Sequence, residues 1–535
     1  MKFKTLLKPI VSAAFVSAAF VSSASDFEAD GIYYNIVEGG CEVAPVDVGV
    51  SYSGDIVIPM TANGYTVVGI GDEAFANCSL KTLLMPPTLT YIGERAFARC
   101  RLPSIEWPAS VAEISEGTFS DSSIKSITFS GRVREIGESA FENCTDLTSI
   151  NLPESLTSIG ERVFAGSGLT SITLPYRVFE ISNYAFDGCA DLSPVTFDGD
   201  VESVGSSAFR GVGLTSVTLP ESITKLWNGA FMNCSKLETV EIGGDNLMYI
   251  DYEAFLGCSN LKSVKLPNSV ETIGLRAFCQ CSSLTSINMP ESLKEIESGA
   301  FSDCSSLKTV NLPDGLKSIS GRAFMNCSSL TSINLPDGVT FSFGDDAFNG
   351  CSSLASIVLP ESVRDVPGCM FKGCTNLVSV TFGSNMKTIY PGAFEDCPNI
   401  VEVNSLNPTP PEFTSKKWWT TTGLLGFIDA VYQNAVLRVP VGSRSAYFRA
   451  DYWINFDNIV EADFSGVAET VVGDAVSVRA ADGSVIVDGA ADGATVEVYN
   501  IGGQCVYNGH DTVVEGLEHG VYVVRVDGQT FKVIL

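Results

Sequence analysis

The sequence is poor in histidine and in positive charge. Its 535 residues include only two histidines, His510 and His519, and 33 lysines and arginines against 62 aspartates and glutamates. A nucleophile that depends on a neighbouring imidazole base therefore has few candidate partners. The acidic excess disfavours nucleic acid as a partner, because phosphate backbones are bound by clustered lysine and arginine. We interpret the acidity as a solubility device of an exported protein.

Enzyme motifs are lacking as well. The chain contains no nucleophile elbow, P-loop, zinc-protease helix or calcium loop. Its carboxylates recur in turns such as Leu-Pro-Glu-Ser, which is typical of a solvated surface. The sequence thus predicts a protein that is not an enzyme and needs no cofactor or metal, with a cryptic hydrolase site between Asn404 and Val460 as a minor alternative.

Long hydrophobic runs are scarce. The apolar stretch Ile10 to Val21 is shorter than the roughly 20 residues that span a bilayer. It follows three lysines and precedes small residues, so we predict a signal peptide over residues 1–25, cut near Ala24 or Ser25. Cleavage would remove three lysines and no acids, which leaves 30 basic and 62 acidic residues and a net charge of −32. No other stretch is long and apolar enough to be transmembrane.

What the sequence has in abundance is a repeat. Fifteen copies of a unit of 22 to 24 residues can be aligned on one phenylalanine: Phe75, Phe97, Phe119, Phe141, Phe164, Phe186, Phe209, Phe231, Phe255, Phe278, Phe301, Phe324, Phe348, Phe371 and Phe394. After this phenylalanine, apolar and polar residues alternate, as Ile150 and Leu152 do with Ser149 and Asn151. Alternation predicts one short strand per copy with one face buried. Because a unit this small cannot bury that face alone, we expect the copies to stack into a solenoid with a parallel sheet and little helix.

The repeated phrase AFxNCSSLTSIxLPESLxxIGxxAF resembles the BspA-type leucine-rich-repeat family of bacterial surface proteins. The resemblance covers roughly Asp26 to Val460 and includes segments that serve as caps in such proteins. We therefore predict an N-terminal β cap over residues 26–66, the leucine-rich-repeat solenoid over 67–403 and a C-terminal cap over 404–462. The resemblance also implies adhesion, since BspA-type proteins are associated with attachment to matrix proteins and to other cells.

Twelve of the 16 cysteines occupy one repeat position and should form a column, which consists of Cys78, Cys100, Cys144, Cys189, Cys234, Cys258, Cys281, Cys304, Cys327, Cys351, Cys374 and Cys397. Parallel side chains about 4.8 Å apart lie outside the preferred Cβ separation of a disulfide, and a line of sulfurs cannot converge on zinc. We interpret these cysteines as buried, structural, weakly hydrogen-bonding groups. Cys279 and Cys369 lie off the column, four copies apart, and should not pair with each other, while Cys41 and Cys505 have no evident partner.

Binding residues are predicted on the outward side of the strands. Small polar side chains recur there, namely Ser149, Asn151, Ser171, Thr173, Ser216, Thr218, Ser286, Asn288, Ser332 and Asn334. The alternative is that they only solvate a sheet face. Aromatic residues that break the repeat pattern are further candidate anchors: Trp227, Tyr176, Phe179, Trp418 and Trp419. For the Trp418 and Trp419 pair, a role in the core of a cap is equally open.

The last segment, residues 463–535, follows a different pattern. Short strand candidates and the hairpin signal Asp527-Gly528 predict a small all-β sandwich. Its ending, from Gly520 to Arg525 and from Phe531 to Leu535, resembles the C-terminal sorting domain of Bacteroidetes type IX secretion. That resemblance implies contact with the export machinery, passage through the outer membrane and attachment at the cell surface.

The function hypothesis is a noncatalytic, secreted or cell-surface leucine-rich-repeat protein. Its expected partners are extracellular proteins or glycoproteins of host or neighbouring cells. A passive structural protein of the surface coat is the alternative of a different class.

Overall fold

The structure is a computed structural model of the chain. It describes residues 25–46, 51–341, 344–414, 424–464, 477–481, 484–488, 495–500, 505–517, 521–526 and 529–534. The expected signal peptide up to residue 24, the Trp418 and Trp419 pair and the Asp527-Gly528 turn lie outside these residues. The chain divides into two compact units, one up to Ala462 and one from Asp463 onward.

The first unit is a solenoid with two parallel ladders. The first ladder comes from the alternating phrase after the phenylalanine; its strands are β4 (Ser53–Val57), β7 (Ser79–Leu84), β9 (Ser104–Trp107), β11 (Ser126–Phe129), β14 (Ile172–Leu174), β16 (Val195–Phe197), β18 (Ser216–Leu219), β20 (Thr239–Ile242), β22 (Ser263–Lys265), β25 (Thr309–Val310), β27 (Ser332–Ile333), β28 (Ser356–Leu359), β30 (Ser379–Phe382), β32 (Glu402–Ser405), β34 (Val436–Pro440) and β35 (Asn458–Ala462). Pairing is parallel and mostly in register, as in β18 and β20, where Val217 lies opposite Val240. The predicted parallel-sheet solenoid is confirmed.

The second ladder consists mostly of strands two residues long that precede the repeated phenylalanine. They are β6 (Tyr65–Ile70), β8 (Tyr91–Ile92), β10 (Glu113–Ile114), β12 (Glu135–Ile136), β13 (Ser158–Ile159), β15 (Glu180–Ile181), β17 (Ser203–Val204), β19 (Lys225–Leu226), β21 (Tyr249–Ile250), β23 (Thr272–Ile273), β24 (Glu295–Ile296), β26 (Ser318–Ile319), β29 (Asp365–Val366), β31 (Thr388–Ile389) and β33 (Glu412–Phe413). The expectation of one strand per copy was therefore wrong for most copies. Each of the two-residue strands buries a single apolar side chain, so no alternating pattern is long enough to signal it.

A tight turn between the two ladders carries the repeated phenylalanine. In the copy centred on Phe324, Arg322 and Asn326 both adopt left-handed backbone with φ 59°, which bends the chain sharply on either side of the ring. The Phe324 N–H donates to the Ala347 carbonyl of the next copy at 2.8 Å. Successive rings stack at centroid distances of 5.2 to 5.6 Å along all fifteen copies. This phenylalanine column is the spine of the core, because stacked aromatic rings add to the burial of their area.

Aromatic residues close both ends of the phenylalanine column. Tyr52 lies 5.0 Å from Phe75 at the first copy, and Phe427 lies 5.1 Å from Phe394 at the last. Ahead of the first copy, β1 (Phe27–Ala29), β2 (Ile32–Val37) and β3 (Gly40–Val43) form an antiparallel meander; β3 pairs in parallel with β6, and β5 (Thr61–Ala62) pairs with β6 in antiparallel fashion. Such ends cover apolar surface that a terminal repeat would expose.

Within the described part of the chain, helix occurs only in the segment after the last copy. It comprises α1 (Asp429–Asn434), α2 (Arg444–Tyr447) and one 3₁₀ turn (Trp453–Asn455). Trp453 is fully buried, and its indole Nε1 donates to the Pro411 carbonyl at 2.7 Å. None of the described helices is long and apolar enough to cross a membrane.

The second unit consists of two antiparallel sheets. One contains β36 (Ser477–Ala481), β37 (Ser484–Asp488) and β40 (Val513–Val514); the other contains β38 (Val496–Asn500), β39 (Cys505–Gly509), β41 (Val521–Val526) and β42 (Gln529–Ile534). A core of its own includes Val485, Val498 and Val524. This agrees with the small all-β domain expected after the solenoid.

Candidate binding surface

The outward side of the first ladder is exposed along the stack. Every small polar residue singled out in the sequence is solvent-exposed, namely Ser149, Asn151, Ser171, Thr173, Ser216, Thr218, Ser286, Asn288, Ser332 and Asn334. Alternate residues on the same strands, such as Val217 and Ile333, are buried. The copies that hold Ser149 and Ser286 have no assigned strand over this phrase, yet they keep the same alternation of exposed and buried side chains.

A shallow groove crosses three strands of this surface. It has a volume of about 250 Å³ and lies over β18, β20 and β22. Thr218 and Ser263 line it together with an exposed ion pair between Glu241 and Lys265, whose charged atoms are 2.7 Å apart. An open groove of this kind suits an extended polar chain better than a compact small molecule, which pockets enclose more fully.

Two of the predicted binding asparagines have their amides occupied. The Asn288 amide oxygen accepts from the Leu266 N–H at 3.0 Å, and its Nδ2 donates to the Leu266 carbonyl at 3.0 Å. Asn334 makes the same pair of bonds to Leu312 at 3.2 Å. These side chains extend the ladder where the strand itself is short or missing, so we place them in the scaffold.

Three of the aromatic candidates, Trp227, Tyr176 and Phe179, are among the described residues and lie outside the polar stripe. Trp227 directly follows β19 in the second ladder and is 43% exposed, with Lys225 Nζ 5.4 Å from the ring centroid. Tyr176 and Phe179 are also exposed, and Arg177 lies over the Tyr176 ring at 5.3 Å. The structure thus does not bring the aromatic candidates together with the polar stripe on one ladder.

The sequence reasoning missed an apolar cluster next to Trp227. Met248, Tyr252 and Leu275 are exposed side chains on the next two copies of the second ladder. A comparison of equivalent positions in neighbouring copies could have found them. Thr224 is the equivalent of Met248, and Ser298 is the equivalent of Leu275.

The cysteine column lies on the inner side of the turn. Its members are buried and unbridged. In ten of them, the thiol lies 2.9 to 3.3 Å from the carbonyl oxygen of the phenylalanine in the preceding copy; these are Cys144, Cys189, Cys234, Cys258, Cys281, Cys304, Cys327, Cys351, Cys374 and Cys397. Each such thiol therefore donates a hydrogen bond that links two copies. Where serine replaces cysteine, as at Ser122, the hydroxyl lies 3.5 Å from the next thiol, that of Cys144.

Burial suppresses the reactivity of these thiols. It raises the pKa of Cys144, Cys351 and Cys397 to about 12 and that of Cys304 and Cys327 well above the ordinary value. The thiolate is the nucleophilic form, so a neutral buried thiol is inert.

Two further candidates for chemistry are a metal site and the suggested hydrolase segment. No group of three or more metal-ligating side chains occurs in the described residues. In the segment suggested for a cryptic hydrolase, the Ser405 hydroxyl lies 2.6 Å from the Tyr447 hydroxyl. Both residues are fully buried, so this hydroxyl pair has no access to a substrate.

The repeat length, the parallel ladders and the exposed outer columns define a leucine-rich-repeat protein. More narrowly, the chain belongs to the BspA-type leucine-rich-repeat family. The family's repeat region, a profile of six copies, matches residues 68–193, 179–305 and 272–401. Members of this family are repeat proteins rather than enzymes.

Solved structures of leucine-rich-repeat proteins resemble this chain. One from Bacteroides ovatus ATCC 8483 is 29% identical, with a TM-score of 0.52, and the match covers 71% of this chain and 94% of that one. A leucine rich cell surface protein from Faecalibacterium prausnitzii A2-165 is 25% identical over 66% of this chain and 94% of that one, with a TM-score of 0.40. No curated protein matches the chain.

Proposed function

We propose that this chain is an exported, noncatalytic surface protein that binds extracellular proteins or glycoproteins of host or neighbouring cells. The observation that carries the proposal is the geometry of the solenoid. It presents outward-facing columns on two ladders over many copies, while its cysteine column and its phenylalanine column are enclosed. Repeat proteins use such extended lateral surfaces for binding.

Placement at the cell surface is supported from two sides. The chain belongs to the BspA-type leucine-rich-repeat family, whose members are cell-surface proteins. The N-terminal residues 1–25 have the pattern of a signal peptide. We further propose that the second unit acts as a type IX sorting domain, on the resemblance of its last strands.

The purified chain should bind saturably to members of an array of matrix proteins and glycoproteins. A bovine serum albumin surface and a heat-unfolded sample of the same chain serve as controls. Saturable binding favours an adhesin over a passive coat protein, whereas absence of binding across the array would contradict the proposal.

A further inference from the structure

The second ladder carries an exposed apolar cluster, which we call the aromatic patch. It consists of Trp227, Met248, Tyr249, Tyr252 and Leu275. Met248 is 57% exposed, Tyr252 45%, Trp227 43% and Leu275 37%. The patch residues lie in or directly beside the strands β19, β21 and β23, which pair in sequence with Leu226 opposite Ile250 and Ile250 opposite Ile273. Three paired strands cover a width of about 10 Å, which fits an extended segment of polypeptide.

The centre of the patch is held in place before any partner arrives. The Tyr249 hydroxyl donates to Glu297 at 3.1 Å, and its ring meets Tyr252 edge-on at 6.3 Å. Gly274 leaves the space for this arrangement, because a Cβ there would lie 3.0 Å from the Tyr249 hydroxyl and 2.6 Å from the Ile250 carbonyl oxygen. A rigid aromatic surface loses little conformational entropy when it binds.

The charges around the patch are mixed, with the carboxylates of Asp251 and Glu297 beside the rings and the Lys225 ammonium over Trp227. Two nearby cations are already paired, since Arg276 lies 3.0 Å from Glu253 and Lys294 lies 2.6 Å from Glu271. Two carboxylates beside the rings accept hydrogen bonds from neutral groups. Asp251 accepts from the Tyr252 N–H at 2.6 Å, and Glu297 accepts from the Leu275 N–H at 2.8 Å as well as from Tyr249.

The indole of Trp227 already shows which charge it attracts. Lys225, in β19 two residues before Trp227, places its ammonium 5.4 Å from the centroid of the ring and so already occupies one side of the indole. A cation over an indole face is stabilised by the quadrupole of the ring. A cationic side chain of a partner, which could also approach Asp251 on the neighbouring strand, would gain the same contact.

We propose that the aromatic patch binds an extended, basic segment of a partner protein. An arginine or lysine of the segment stacks on Trp227, and an apolar side chain packs against Met248 and Leu275. This inference rests on the proposed binding function and names the site and the chemistry of the partner.

Other occupants fit the patch less well. A second copy of this chain would bring together two surfaces of a protein whose net charge is −29, and like charges disfavour that contact. A neutral glycan could stack on the rings, but it would leave the exposed aliphatic side chains of Met248 and Leu275 in contact with hydroxyl groups. A basic segment with an apolar side chain can stack on the rings, pack against the aliphatic side chains and pair with the carboxylates at the same time.

The test uses the full chain and short fluorescein-labelled peptides in fluorescence anisotropy. One peptide alternates arginine with leucine, a second alternates glutamate with leucine, and a third alternates arginine with serine. The arginine–leucine peptide should bind most tightly, and added salt should weaken its binding. The Trp227→Gly variant should lose affinity on the order of tenfold, as expected for a buried aromatic anchor.

The repeat itself supplies substitutions that the fold accommodates. Trp227→Gly introduces the residue found at the equivalent position Gly205, and Met248→Thr introduces that of Thr224. Neither changes the charge, so nonspecific attraction between an acidic chain and a basic peptide is unaffected. Val358→Thr is the matched control, because Val358 is an exposed apolar residue on the first ladder, and it should leave the affinity unchanged.

Equal binding of the arginine–leucine peptide to the wild type and to Trp227→Gly would overturn the proposal. The proposal would also be overturned if the glutamate–leucine peptide bound as tightly as the arginine–leucine peptide. A third contrary result would be that the wild type binds neutral glycans on an array and that Trp227→Gly loses this binding. If the chain binds matrix proteins or glycoproteins and neither patch variant changes that binding or peptide affinity, this inference fails and the proposed function stands. If the wild type binds no member of the protein array, the proposed function itself fails.

Discussion

A shift from neutral pH to about pH 10 should destabilise the protein through its cysteine column. Burial raises the pKa of Cys304 and Cys327 well above the ordinary value of 9.0, so both thiols keep their protons in the folded chain. In the unfolded chain these thiols have their ordinary pKa, and pH 10 is about one unit above it, so they ionise. The contribution of the two buried thiols to the free energy of unfolding is therefore fully present below about pH 9. It is lost as the pH rises toward the pKa of the folded chain. When thiolate exceeds thiol tenfold in the unfolded state, the free energy of unfolding falls by about 1.4 kcal/mol for each thiol.

The double variant Cys304→Val, Cys327→Val isolates this contribution. Valine occupies the equivalent position at Val212, so the fold accommodates it. Urea unfolding at neutral pH and at about pH 10 gives the loss in the free energy of unfolding over this pH change. This loss should be about 3 kcal/mol smaller in the variant than in the wild type. Other groups titrate in both proteins and cancel in the difference.

The exposed Cys505 provides the control. Cys505→Val also removes a thiol, but an exposed one outside the column, so the pH-dependent loss should match that of the wild type. An identical loss in the double variant and in the wild type would refute the reasoning. It would mean that the column thiols are not buried and protonated in solution.

Further predictions concern the spine, the scaffold, the cap and the tail. Phe278→Ala removes one ring from the middle of the phenylalanine column and should cost about 3 to 5 kcal/mol in urea unfolding; a loss below 1 kcal/mol would contradict a continuous core. Asn288→Ala removes two hydrogen bonds to the Leu266 backbone and should cost about 1 to 2 kcal/mol without weakening binding to the protein array. Trp453→Ala should open the end of the stack, and light scattering should then detect self-association that the wild type does not show. Deletion of residues 520–535 should retain the chain in the periplasm in cell fractionation, and unchanged surface display would contradict the sorting assignment.

The solenoid could be predicted because its signal is repeated fifteen times. A single phrase such as the one around Ile333 is short and ambiguous, but its recurrence at a fixed spacing leaves few alternatives to stacking. The second ladder escaped prediction because a strand such as Ser318–Ile319 contains only one buried residue. The same recurrence of aliphatic residues could equally mark a turn or a short helix.

The candidate surface was predictable only in part. Alternation correctly indicated which side chains face outward, as Ser332 and Thr218 do. It could not indicate that the Asn288 amide bonds to a neighbouring copy, because this depends on the distance between backbones of different repeats. The cluster formed by Met248, Tyr252 and Leu275 does not show in the alternation within one copy; it shows only when equivalent positions of successive copies are compared.

The most direct measurement is attachment of cells that display this chain to immobilised matrix proteins and glycoproteins, with purified soluble chain as competitor. The proposed function predicts that displaying cells attach, that cells lacking the chain do not, and that soluble wild-type chain abolishes attachment in a saturable manner. Equal attachment of both kinds of cells, unaffected by the soluble chain, would contradict a role in binding.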